Sequence, residues 1–151
     1  MRQLVLSMHM IFIAVSLPLY AADLSSPVGL WKTIDDKSGK PGGLIRIGLV
    51  DGYYQGTIEK IFPEPGEDPN PKCVKCEAPR QNAPVIGLTF MWGLTKQGEG
   101  YQGGEILDPK TGRIYRAKLT LDDGGKKLNV RGFIGFSLLG RTQVWYREES
   151  S

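Results

Sequence analysis

Histidine is almost absent from this 151-residue chain: the single one is His9. It lies in a stretch expected to be removed. Residues 1–22 have the three-part form of an export signal. Arg2 supplies the positive start, 8–17 form an apolar run interrupted by His9 and Ser16, and Ala21-Ala22 are the small residues before Asp23. The apolar run is shorter than the roughly 20 residues that span a bilayer. No cysteine stands directly after it, at the expected cut, to accept a lipid. The expected processed chain, 23–151, is a single domain placed in the periplasm or secreted, with no integral membrane span. Without histidine it has no Ser-His or Cys-His couple, no His general base and no His-containing metal site.

Charge of one sign is equally scarce. The formal net charge is +3, and Lys and Arg are scattered among Asp and Glu. A nucleic-acid partner needs a basic patch or stripe, and none is visible. No stretch keeps a 3.6-residue apolar period long enough for a substantial helix. Asp35-Asp36, Asp122-Asp123 and the group Glu64, Glu67 and Asp68 offer paired carboxylates. All fall in turn-like sequence, where Asp bonds its own backbone.

What the chain has is glycine, 20 residues of it, between short alternating segments. About eight strands are expected, at 29–34, 44–50, 53–61, 86–94, 101–107, 113–121, 127–133 and 141–147. In the second, Ile45, Ile47 and Leu49 share one face with Arg46 on the other. Asp51-Gly52 is a hairpin signal because both residues tolerate positive φ. In the sixth, Tyr115, Ala117, Leu119 and Leu121 alternate with Arg116, Lys118 and Thr120. Such a series predicts an all-β antiparallel sandwich or barrel, and closure into a barrel removes exposed edges. Phe133-Ile-Gly-Phe136 with Leu138-Leu139 reads as a bulged or bent corner before the last strand.

One segment departs from this pattern. Residues 62–85 hold six of the ten prolines (Pro63, Pro65, Pro69, Pro71, Pro79, Pro84) and both cysteines. A loop of this length in a small domain is commonly functional, and proline restricts it before folding begins. It is expected to run over one end of the barrel. Cys73-Val-Lys-Cys76 admits three readings. A local disulfide suits an oxidising compartment. A redox pair wants a helix N-terminus in a βαβ setting. A zinc site needs about four ligands, of which two are present.

Gly29-Leu30-Trp31 near the start and Gly140-Arg141-Thr-Gln-Val-Trp145-Tyr-Arg147 near the end resemble a feature of the calycin group, the lipocalins and their relatives. That resemblance implies a tryptophan closing the bottom of the barrel, with an arginine of the last strand, Arg141 or Arg147, packed across the indole. The chain from Pro27 onward also resembles a family of small exported bacterial proteins of unknown function. The shared segments are Gly29-Leu-Trp-Lys-Thr-Ile-Asp-Asp36, Tyr54-Gln-Gly-Thr-Ile58, the Cys73/Cys76 pair, Pro84-Val-Ile-Gly-Leu88, Gly104-Glu-Ile-Leu-Asp-Pro109, Gly112-Arg-Ile-Tyr115, Val130-Arg-Gly132 and Leu139-Gly-Arg-Thr-Gln-Val-Trp145. What this implies is an exported eight-stranded lipocalin-like barrel with no assigned chemistry.

The expected function is non-enzymatic binding of a small apolar or amphipathic ligand inside the barrel, without cofactor, catalytic residue or metal. Trp92, Tyr115, Arg116 and Arg131 are the candidate ligand contacts; packing in the core or facing solvent is the competing role for each. Two alternatives stay open: a protein-interaction module that presents loop 62–85 to an envelope protein, and a thiol-redox protein using Cys73 and Cys76.

Overall fold

The structure is a computed structural model that describes residues 23–136 and 139–149. The expected export signal, His9 included, lies outside the described residues. Eight strands follow in chain order: β1 (Gly29–Ile34), β2 (Pro41–Val50), β3 (Tyr53–Ile61), β4 (Thr89–Gln97), β5 (Gly100–Leu107), β6 (Ile114–Asp122), β7 (Lys127–Phe133) and β8 (Gly140–Glu148). Each pairs antiparallel with the next, and β8 returns to β1, so the sheet closes into a barrel in which every strand has two neighbours.

The alternation in the sequence decides which side chains enter. Ile45 and Ile47 on β2, Leu119 on β6, Leu128 and Val130 on β7 and Trp145 on β8 are buried in one core. Arg46 lies between Ile45 and Ile47, points outward and bonds Glu59 at 2.8 Å. Gly56 on β3 leaves space where Met91 and Phe90 of β4 pack; a Cβ there would stand 2.9 Å from Met91 Cε. Asp51 and Gly52 both have positive φ, 51° and 82°, as the tight β2–β3 hairpin needs.

β4 starts at Thr89, three residues later than the alternation suggests. The chain is still turning through Ile86-Gly87: Gly87 has φ 89°, and the Leu88 N–H donates to the Val85 carbonyl at 3.2 Å. The glycine-broken apolar stretch after β7 is a hairpin connection, closed where the Ile134 N–H donates to the Leu139 carbonyl at 3.1 Å.

Because the strands run up and down, the connections sort to two ends. The short links 51–52, 98–99 and 123–126 lie at the end where β1 begins. The β1–β2 turn, the long 62–88 connection, the β5–β6 turn and the β7–β8 hairpin lie at the other.

Candidate functional site

The end at which β1 begins is sealed. Trp31 is fully buried, and its indole Nε1–H donates to the Pro27 carbonyl at 2.7 Å. The Arg147 guanidinium stacks on the indole, 4.3 Å from the ring centroid. That guanidinium also donates to three carbonyls: Nε to Gly125 at 2.7 Å, Nη1 to Val28 at 2.9 Å and Nη2 to Ser26 at 2.7 Å. One planar fork thus ties the chain before β1 to the β6–β7 link, a job for which its fixed geometry suits it. Burial lowers the pKa of Arg147 from its ordinary value and the Asp23 carboxylate raises it; the group stays charged. The Tyr101 hydroxyl faces the Ser25 carbonyl at 3.4 Å, and burial, then neighbouring Tyr54, raises its pKa.

Arg147 reaches Trp31 and Arg141 does not, for a topological reason. β8 runs antiparallel to β1, with Trp31 opposite Arg147. Arg141 therefore lies at the far end, where it forms an ion pair with Asp36 of the β1–β2 turn.

The opposite end opens into a cavity of about 1080 Å³. Ile45, Ile58, Phe90, Val130 and Trp145 form its apolar wall, with Phe90 and Trp145 rings 6.2 Å apart. Thr33, Tyr115 and Gln143 add hydroxyl and amide groups among them, and Lys40, Glu64, Asp108, Lys110 and Arg141 stand at the rim. The volume is of the size that holds a small organic ligand, and the composition is the usual one: mostly apolar wall, few polar groups. Gly132 also lines it. A Cβ there would meet Ile106 and Tyr115 at 3.5 and 3.6 Å, ordinary contact distances, so the missing side chain is part of the open space.

The connection 62–88 borders this mouth and is fastened at several points. Cys73 and Cys76 form a disulfide, and both are buried. On the chain-entropy account so small a ring contributes roughly 2 kcal/mol. Lys72 bridges Pro84 across the loop. The Cys segment packs backbone to backbone on the β5–β6 turn: a Cβ at Gly112 would fall 2.0 Å from the Lys75 carbonyl oxygen. On the barrel wall, the Arg80 guanidinium lies 4.1 Å from the centroid of the Trp92 ring. The 62–88 connection is thereby an ordered border of the mouth.

The four candidate ligand contacts separate. Tyr115 lines the cavity. Trp92 is on the outer wall, donating from Nε1 to Glu105 at 3.1 Å beneath Arg80. Arg116 sits over the outer side of Phe133 at 6.0 Å, and Arg131 donates to Thr142 Oγ1 at 2.9 Å; neither lines the cavity. Both follow an inward residue by one position, and a one-residue step reverses the face. Trp145 and Gln143, absent from the candidates, do line it. The period-two set Arg141, Gln143, Trp145, Arg147 on β8 is the signal that finds them.

The carboxylates are occupied in turns. Asp35 accepts from the Ser38 and Lys37 N–H groups, and its bonds from Ser38 hold its pKa below the ordinary value. Asp122 accepts from the Asp123 N–H. Among the described residues no group of three or more His, Cys, Asp or Glu could hold a metal ion, and no helix is long and apolar enough to cross a membrane.

A closed eight-stranded antiparallel barrel, plugged at one end by a tryptophan under an arginine and hollow at the other, is a lipocalin-like fold. The chain belongs to a family described as uncharacterized proteins conserved in bacteria (DUF2147), whose profile matches residues 29–147. Among solved structures it is similar to protein HP1028 from the human pathogen Helicobacter pylori, described as belonging to the lipocalin family. The TM-score is 0.70 at 18% identity, over 82% of this chain and 84% of that one. No curated protein matches the chain.

Proposed function

We propose that this protein is an exported, non-enzymatic carrier that holds one small apolar or amphipathic molecule in the barrel. The observation that carries the proposal is the asymmetry of the interior. One end is sealed by Trp31 and Arg147, and the other opens through an apolar cavity of about 1080 Å³. An apolar body would lie against Phe90, Val130 and Trp145, and a polar end would face Tyr115, Gln143 and the charged rim. Export is supported by the Cys73–Cys76 disulfide, since such bonds persist in oxidising compartments. The lipocalin-like fold supports binding rather than catalysis.

Titration with N-phenyl-1-naphthylamine tests the proposal, because the dye brightens when it leaves water. The expected result is saturable binding at one equivalent per chain, with energy transfer from Trp145. Gly132→Leu should place a side chain in the open space and weaken that binding by about tenfold or more, while the fold persists. A branched side chain contributes roughly 2 kcal/mol of displaced contact, and leucine suits a strand better than glycine does. Dye binding unchanged by Gly132→Leu, or no binding by the parent protein, would sink the cavity as the site.

A further inference from the structure

The inward side chains of β8 climb from the sealed end in the order Arg147, Trp145, Gln143, Arg141, each step being two residues or about 7 Å. Strand pairing sets their levels. Trp145 lies across from Thr33 and Leu128, Gln143 across from Val130, and Arg141 across from Gly132. Gln143 is thus a polar group inside the cavity, one step above an indole and one step below a charge. The indole fixes how its amide is turned. An indole N–H only donates, and Trp145 Nε1 donates to Gln143 Oε1 at 3.3 Å. The Nε2 amino group therefore faces away from the indole, and no group among the described residues accepts from it. Thr33, by contrast, is engaged, its hydroxyl donating to the Gly43 carbonyl at 3.4 Å.

The charges of the mouth leave no cation for an anion at that depth. Lys40 pairs with Glu64 at 3.0 Å, Lys110 with Glu67 at 4.0 Å, and Arg141 with Asp36. Asp35, Asp68 and Asp108 accept N–H groups of their own turns. Lys72, exposed on the 62–88 connection, is the lining cation without an ion pair among the described residues. The mouth thus sets six carboxylates, Asp36 included, against four cations. Asp35 follows Thr33 by two residues, so the charge most nearly level with Gln143 on the adjoining strand is negative.

We infer that the molecule held in the cavity is neutral and carries a carbonyl-type oxygen that accepts from Gln143 Nε2, an inference that rests on the carrier reading above. Its apolar part lies against Phe90, Val130 and Trp145. A carboxylate brought to the same depth would leave water, meet no cation and face Asp35, and an unpaired charge in an apolar site is costly. A carbonyl oxygen has no such cost, and it satisfies a donor that the protein leaves open. Gln143 is in this account the residue that selects a neutral ester, ketone or amide over a free acid. The Tyr115 hydroxyl, nearer the mouth and without a partner among the described residues, offers a second polar contact above it.

Competition against bound N-phenyl-1-naphthylamine decides the matter, with methyl decanoate and decanoate as the two competitors at neutral pH. They share one chain and differ in a methyl group and a charge. The ester should displace the dye from the processed protein at a concentration about tenfold or more below that of the anion. Gln143→Glu keeps an oxygen for the Trp145 indole and should keep the parent's circular dichroism. It removes the donor, so methyl decanoate should weaken by about tenfold, while decylamine should compete more strongly than it does with the parent. Decanoate that competes with the parent as well as the ester does overturns the inference. If Lys72→Gln then weakens decanoate, the polar head belongs at the rim. A Gln143→Glu protein that keeps the parent's order of ligands also overturns it, because Gln143 then serves the fold alone. Either result, with dye still bound, leaves the carrier reading standing; absence of dye binding by the parent overturns both.

Discussion

Trp31→Ala is expected to lower the unfolding free energy by about 3–5 kcal/mol, the range for truncating a fully buried large aromatic. The side chain is completely inaccessible, so no compensating solvation exists in the folded state. The loss extends beyond its own contacts. Without the indole, the Arg147 guanidinium loses the ring beneath it, and the Pro27 carbonyl loses its donor at 2.7 Å. An unpaired buried acceptor adds a penalty of order 1–3 kcal/mol where water cannot reach it. A domain of this size commonly has only about 5–15 kcal/mol in total. Urea unfolding followed by far-ultraviolet circular dichroism should show a lower midpoint with a similar slope. A midpoint within experimental scatter of the parent's would mean that the tryptophan does not plug this end.

The second large effect is expected at Gly125. Its φ is 85°, a conformation that costs an L-residue of order 1–3 kcal/mol. Space is lacking as well: a Cβ there would lie 1.9 Å from the Leu24 carbonyl oxygen. The contact is with backbone, so no rotamer relieves it. Gly125→Ala must therefore displace either the β6–β7 link or the segment before β1. Moving either one breaks the Arg147 fork, which donates to Gly125 on one side and to Val28 and Ser26 on the other. The expected cost is roughly 3–5 kcal/mol, combining backbone strain with overpacking. Hydrogen exchange should localise the change, with faster exchange in the amides around 23–28 and 123–126 and protection retained at the open end. Parent-like exchange in both segments would contradict this view of the sealed end.

These two sites show what the sequence could and could not convey. Strand alternation was legible because one face of each strand is buried: Tyr115, Ala117, Leu119 and Leu121 read directly as the inner side of β6. The tryptophan plug was legible as a pattern, but its partner was not. Arg141 and Arg147 have the same parity on β8 and both point inward, so alternation cannot separate them. Only antiparallel pairing with β1 does, because it sets Trp31 opposite Arg147. The cavity was less legible still. It depends on which inward positions in neighbouring strands are small at the same height, as Gly132 is beside Tyr115 and Ile106. That coincidence is set by register across strands, and a single strand does not encode it. Trp92 illustrates the reverse difficulty: a large aromatic in a strand suggests an interior role. Here it serves on the outer wall as the platform for Arg80, fastening the 62–88 connection from outside.

The exposed hairpin tip adds a point about reading apolar residues. Ile134 and Phe136 break no alternation rule, and their sequence suggests a bend within the sheet. Their exposure follows from the glycines around them: Gly135 has φ 68°, and Gly140 begins β8 so close to β7 that a Cβ would stand 2.3 Å from the Gly132 carbonyl oxygen. The hairpin turns tightly at its base and leaves Ile134, Phe136 and Leu139 exposed.

The central claim is that the barrel is hollow at its open end in order to hold a molecule. Native mass spectrometry of the processed protein after incubation with a bacterial total lipid extract tests it most directly. The account predicts a population heavier than the polypeptide by one small apolar or amphipathic molecule. Organic solvent should remove it, and Gly132→Leu should not show it. A spectrum holding only the bare polypeptide mass, from parent and variant alike, would contradict the account.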